Sequence, residues 1–222
     1  MAGDVTIRIE RSLAAIAPER WALLGGARRG ADGYNPFASH AFLSALEDSG
    51  SAAAETGWLG QHLVMDGADG RLLGAIPCYL KSHSRGEYVF DQGWADAFER
   101  AGGRYYPKMQ SAFPFTPATG PRLMVAQGGD AGEVRPLLAG ALRQVTDQLG
   151  VSSAHATFLP SDELPAFVDA GYLHRTDQQF HFLNAGYRDH EDFLDTLASR
   201  KRKALKKERR AALENGITIH RL

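Results

Sequence analysis

The chain has 222 residues and a formal net charge of −1, with 44% apolar and 23% charged residues. Such a composition can bury a core and excludes a disordered polymer. No apolar run approaches the roughly 20 residues a membrane-spanning helix needs. The start, Met1-Ala2-Gly3-Asp4-Val5, lacks a basic segment followed by an apolar one, so no secretory signal is read. Cys78 is the lone cysteine, which rules out an internal disulfide and fits a cytoplasmic location.

In chain order, residues 5–9 alternate apolar and polar and predict a strand. Residues 18–24 predict a short helix entered at Pro18 and stopped at Gly25-Gly26. Asn35-Pro36-Phe37 predicts a turn, and Ser39 the N-cap of a helix over 40–47. Residues 62–65 and 72–81 predict a hairpin turned by 66–70. A helix over 94–101 is followed by strands over 108–113 and 121–125. The amphipathic pattern of 133–149, with Val134, Leu138, Leu142 and Val145 on one side, predicts a helix ended by Gly150. Then come a strand over 154–159, a short helix over 161–170 and a long strand over 173–183. One long helix over 189–213 and a strand over 217–220 complete the prediction. Helices over a mixed sheet define an α/β (α+β) class. A strand opening just before the last residue leads to the expectation of a further half beyond it.

Polar and aromatic residues are densest between Lys81 and Arg122. Rings with a few convergent polar groups make a ligand cleft, the rings supplying area and the polar groups orientation. Candidate substrate-binding residues are Tyr88, Trp94, Tyr105, Tyr106, Lys108, Gln110, Phe115, Thr116 and Arg122. Acylation of an amine needs a proton acceptor and donors for the oxyanion. Glu87, Asp91 and His83 are candidates for the first task, and backbone N–H groups or Tyr88, Tyr105 and Tyr106 for the second. The same residues also fit a structural polar network packed with aromatic core.

Gln127-Gly128-Gly129 precedes a helix, the position of a phosphate cradle for coenzyme A, although Asp130 and Glu133 would repel phosphate. A plain surface loop is the alternative. Residues 200–210 hold eight of the 25 basic residues and one of the 26 acidic ones, a net of +7. Arg200, Lys201, Lys203, Lys206, Lys207 and Arg210 lie around the polar faces of that helix and suit the phosphates of RNA, of a nucleotide-linked precursor or of an anionic lipid. The histidines lack metal-ligand spacing, so no metal site is expected.

NPFASHAFLSALEDSGS, GWLGQHL, SHSRGEYVFDQGWADAFERAGGRYYPKMQ, PFTPATGPRL and SRKRKALKKERRAALENGI together resemble the FemAB-like N-acyltransferases of bacteria, distant relatives of the GNAT superfamily also described as peptidoglycan biosynthesis or recognition proteins. The resemblance implies a GNAT-like mixed sheet and two tandem lobes. Residues 1–187 would form the first lobe, and 188–222 the basic helix and opening strand of a second lobe continuing beyond this chain. It also implies transfer of an acyl or aminoacyl group onto an amine, with acyl-CoA or aminoacyl-tRNA as donor and a small molecule or a cell-wall precursor as acceptor. A non-catalytic module binding an anionic precursor or RNA through the basic helix is the competing expectation.

Overall fold

The computed structural model describes residues 4–218 and 220. The chain divides into two compact units, Met1–Thr176 and Asp177–Leu222. The first unit is built on two four-stranded sheets. One runs β1 (Val5–Glu10), β3 (His62–Gly67), β4 (Leu72–Ile76), β7 (Met124–Val125), all antiparallel. The other runs β2 (Trp58–Gly60), β5 (Tyr79–Lys81), β6 (Lys108–Ser111), β8 (Ala154–Ala156), with a parallel final pair.

The two sheets share one kinked ribbon. Only Gln61 separates β2 from β3, and only Pro77-Cys78 separates β4 from β5. The Gln61 N–H still donates to the Cys78 carbonyl at 2.8 Å. Pro77 has no N–H for the ladder, so pairing breaks there and the two halves enter different sheets. The single strand expected over 72–81 is corrected by that proline.

Apolar side chains cover the first sheet on both faces. Helix α4 (Ala131–Leu149) lays Val134, Leu138, Leu142 and Val145 against Leu63, Met65 and Ile76, with Phe167 of α5 (Leu164–Asp169) in the same cluster. The Asp130 carboxylate caps α4 by accepting from the Gly132 N–H at 2.8 Å, and Gly150 ends it at φ 62°. On the other side Trp21, Leu24 and Leu43 pack with Val64, Ala75 and Phe113. Trp21 belongs to α1 (Pro18–Trp21) and Leu43 to α2 (His40–Asp48), which Ser39 caps as expected. Glu47 of α2 holds His62 at 2.8 Å and accepts from Ser12 and the Leu13 N–H. Burial acts to raise that carboxyl, but the His62 contact and the other donors win and hold it below the usual range. Helix α3 (Gln92–Arg100) buries only Ala95. The α/β class with flanking helices is thus the observed one, the expected mixed sheet being divided into an antiparallel sheet and a smaller mixed one.

Three further expected elements differ. Residues 173–183 form no strand: Leu173, Phe180 and Leu183 are 91%, 86% and 79% exposed, and without a partner strand the backbone has no ladder to join. The long helix over 189–213 is two helices, α6 (His190–Asp195) and α7 (Ser199–Leu213). Thr196 Oγ1 donates to the Phe193 carbonyl at 2.7 Å, and Ala198 has ψ 141°, outside the helical range. Residues 217, 218 and 220 are not in a strand, and residue 219 of that expected strand lies outside the described residues. In the second unit, Leu194 is buried, and Lys206 pairs with Glu191 and Arg202 with Asp195.

Candidate active site on the second sheet

Lys81 pairs across the ladder with Trp58 on one side and Lys108 on the other, and Tyr79 pairs with Gln110. Gln110 in turn lies opposite His155. Cross-strand partners, and residues two apart on a strand, share a face. Trp58, Tyr79, Lys81, Lys108, Gln110 and His155 therefore line one face, while Leu80 and Met109 turn the other way into the apolar core. All but His155 are buried.

The loops flanking β5 and β6 bring carboxylates over this face. Lys108 Nζ donates to Glu87 Oε2 at 2.8 Å and to Asp91 Oδ2 at 2.6 Å. Tyr105 OH donates to the same Asp91 oxygen at 2.9 Å. One cation thus serves two buried carboxylates. Lys81 Nζ sits 3.5 Å over the Trp58 ring and donates to the Arg85 carbonyl at 3.3 Å.

Of the eight buried side-chain polar atoms without a hydrogen-bond partner among the described residues, five belong to this region: Trp58 Nε1, Tyr79 OH, Glu87 Oε1, Asp91 Oδ1 and Gln110 Oε1. An unmet buried polar group costs about 1–3 kcal/mol, and five of the eight are concentrated in this one region. Backbone strain falls in the same region. Tyr88 and Phe115 have φ of 57° and 58°, which non-glycine residues seldom adopt. Phe115 N–H donates to the Gly86 carbonyl at 3.1 Å, and its ring lies 5.5 Å from Trp58. Gly86 has φ 81°, and a Cβ there would stand 2.6 Å from the Phe115 ring.

Burial raises the Glu87 carboxyl, with Lys108 and then Lys81 opposing. For Asp91 burial also acts upward, but the Lys108 and other hydrogen bonds win and hold it low. Burial, helped by the Lys108 charge, brings the Lys81 ammonium down to about 7. His155 is pulled to about 4, first by burial and then by Lys108. The site thus carries carboxylates displaced in opposite senses, the pattern that separates acid from base roles.

Of the residues expected from sequence, Glu87, Asp91, Tyr105 and Lys108 meet in one cluster, and Gln110 shares its sheet face. Tyr106 OH is 2.8 Å from Ser84 Oγ. Tyr88 and Trp94 are 53% and 58% exposed, and Phe115 is 40% exposed. His83 accepts from the Arg85 N–H and packs against Gly57 instead of joining the carboxylates. Thr116 Oγ1 donates to the Pro114 carbonyl. Arg122 is fully buried over the Phe113 ring, and its guanidinium donates to the carbonyls of Thr157, Gly120 and Ala118, which organises the 113–122 loop. Burial brings it down to about 9. Beside Gln127, Gly128 and Gly129, the Asp130 carboxylate occupies the α4 N-terminus and Glu133 stands in its first turn, a poor fit to phosphate. Arg200, Lys201, Lys203, Lys206, Lys207 and Arg210 are all exposed on α7. An open groove of about 270 Å³ lies in the second unit between α6 and α7, lined by His190, Glu191, Lys206, Arg209 and Arg210 around Leu194 and Leu213.

Sequence reasoning passed over Lys81, Trp58, Tyr79 and His155. The signal was there in the period-two pairs Tyr79-Leu80-Lys81 and Lys108-Met109-Gln110, which put polar residues on alternate positions of otherwise buried strands. Among the described residues no group of three or more His, Cys, Asp or Glu is placed to hold a metal, and no helix is long and apolar enough to cross a membrane.

Residues 12–222 match the FemAB-like family, described as peptidoglycan biosynthesis/recognition, and the chain belongs to that family. No curated protein matches it. Among solved structures it is similar to an acetyltransferase of Trypanosoma brucei (13% identity, TM-score 0.46, 81% of this chain and 100% of that one). It is also similar to AAC(6')-Iy in complex with the bisubstrate analogue CoA-S-monomethyl-acetylneamine (16%, TM-score 0.44, 82% and 100%). A third is the aminoglycoside 6'-N-acetyltransferase AAC(6')-Ih of Acinetobacter baumannii (11%, TM-score 0.42, 82% and 98%). Likeness at this level says nothing of substrate.

Proposed function

We propose that this chain is an N-acyltransferase of the cytoplasm that moves an acyl or aminoacyl group onto the amine of a cell-wall precursor. Membership of a peptidoglycan biosynthesis/recognition family supports the acceptor class. The observation that carries the chemistry is Glu87: buried, raised by that burial, anchored through Oε2 to Lys108 and free at Oε1. A carboxylate so placed takes a proton from an ammonium more readily than an ordinary one. Loss of that proton frees the amine to attack the donor carbonyl. Lys108 and Asp91 hold Glu87 in place, and the unpartnered Trp58 Nε1–H is a donor for a developing oxyanion. The donor is an acyl-CoA thioester, with aminoacyl-tRNA ester as the other candidate.

The test measures CoA release from acyl-CoA by the full chain, with nucleotide-linked peptide precursors bearing a free amine as acceptors. Glu87→Gln lowers turnover by about 10²–10⁴-fold, the usual worth of a general base. Turnover unchanged in both Glu87→Gln and Asp91→Asn refutes this site assignment.

The exposed basic face of α7 favours a second reading, a module that binds an anionic precursor or RNA. Binding through those residues weakens steeply as salt rises. Affinity that is indifferent to salt removes this reading.

A further inference from the structure

The second sheet buries two lysines directly opposite each other, Lys81 on β5 and Lys108 on β6. They are not treated alike. Lys108 has both carboxylates, Glu87 and Asp91, as ion-pair partners. Lys81 is 0% exposed and has no carboxylate at ion-pair distance among the described residues, only the Trp58 face and one carbonyl. A ring face compensates a buried ammonium only in part, so the amine gives up its proton near neutrality. The groups around it are Trp58 from β2, Lys108 from β6, and His83, Arg85 and Glu87 from the segment after β5. Lys108 disfavours a charge on Lys81 and Glu87 favours it. Asp91 is engaged by Lys108, and His83 is itself held low by burial and by Lys81 and Arg85.

Resting on the acyl-transfer reading, we infer that Lys81 is a positioning residue for that chemistry: the charge on its amine decides whether Glu87 holds or releases the proton taken from the acceptor. A neutral Lys81 lets Glu87 keep a proton, and a charged Lys81 drives it off. In the transfer itself, the acceptor ammonium gives one proton to the Glu87 carboxylate. The free amine attacks the thioester carbonyl, and the C–N bond forms. The C–S bond then breaks, the thiolate leaves with the second N–H proton of the amine, and Glu87 returns its proton to solvent. The products are the amide, the free thiol and one proton. Lys81 touches none of the reacting atoms in this scheme. It sets the pH at which Glu87 completes the cycle.

The coupling is read directly by carbon-13 NMR titration of the Glu87 carboxyl and the Lys81 side chain in the full chain, alongside the pH–rate profile. In Lys81→Met the Glu87 midpoint rises by about one pH unit, the lower end of what losing a nearby opposite charge does. In Lys81→Arg, charged at every pH, it stays at or below the wild-type value. The rising limb of the rate profile follows Glu87 in each case. Glu87→Gln moves the Lys81 midpoint down from about 7, and this arm stands even where the Lys81 variants do not fold. An unmoved Glu87 midpoint in Lys81→Met, the same shift in Lys81→Arg, or a Lys81 that titrates like a surface lysine overturns the inference. Midpoints that move as stated, in a chain that releases neither CoA from an acyl-CoA nor free tRNA from an aminoacyl-tRNA, leave the coupling standing and remove the acyl-transfer reading instead.

Discussion

The first sheet carries an apolar layer on each face, with Leu63, Met65 and Ile76 toward α4 and Val64 and Ala75 toward α1 and α2, beside the pair of buried His62 with Glu47. The second sheet is apolar on one face only. Its other face holds Trp58, Tyr79, Lys81, Lys108 and Gln110, all buried. The ribbon kinked at Pro77 runs through both. What differs is the cost of burial. Apolar side chains gain about 25 cal/mol per Å² removed from water, whereas buried ions break even at best and only with a complete set of partners. The first sheet is therefore the source of stability, and the second is a place where stability is given up to hold charge in fixed positions.

Removing the cation that joins the two carboxylates breaks the comparison most forcefully. Lys108→Met strands Glu87 and Asp91 without a counter-ion and lowers stability by about 3–5 kcal/mol, read from urea unfolding. Adding Glu87→Gln and Asp91→Asn to Lys108→Met restores most of that loss. A Lys108→Met protein as stable as wild type would show that the cluster is not buried in solution. Next in size is Leu142→Ala in α4, which opens a cavity over the first sheet and costs about 3 kcal/mol. Turnover per folded molecule is unchanged in Leu142→Ala, because the first sheet does no chemistry. A fall in turnover that follows the fall in stability would erase the division between the sheets.

A smaller effect depends on pH. The folded Lys81 amine titrates at about 7, against about 10.4 for a lysine in an unfolded chain. Between those values the unfolded state binds more protons, so folding stability rises as pH rises through this window. Lys81→Met loses that rise, and melting temperatures of the two proteins from pH 7 to 10 measure it. Parallel curves would mean that Lys81 is solvated. The smallest effect lies outside both sheets. Lys203→Gln on exposed α7 changes stability by less than about 0.5 kcal/mol, while weakening any binding of polyanions at low salt. A large loss of stability would mean that α7 packs through its charged face.

Much of the site was legible as chemistry but not as geometry. Glu87, Asp91, Tyr105 and Lys108 stand out because acidic and basic residues interleave with aromatics over a short span. Lys81 did not stand out, because its significance is an absence: among the described residues no carboxylate pairs with it once Lys108 has taken both, and that depends on strand pairing. Arg122 looked like a ligand-binding cation from its turn-rich setting, yet its donors close a loop on backbone carbonyls, which no local pattern reveals.

By itself the sequence determined the elements whose signals are local. Ser39 as a cap, the 3.6-residue stripe of α4, Gly150 as its stop and the alternation of β1 need only neighbours in the chain. The tertiary structure alone decided which sheet each half of the kinked ribbon joins, the absence of a strand over residues 173–183 and the unequal fates of two buried lysines. Each of these turns on which distant groups meet, because a strand is completed by its partner and a buried charge by its counter-ion.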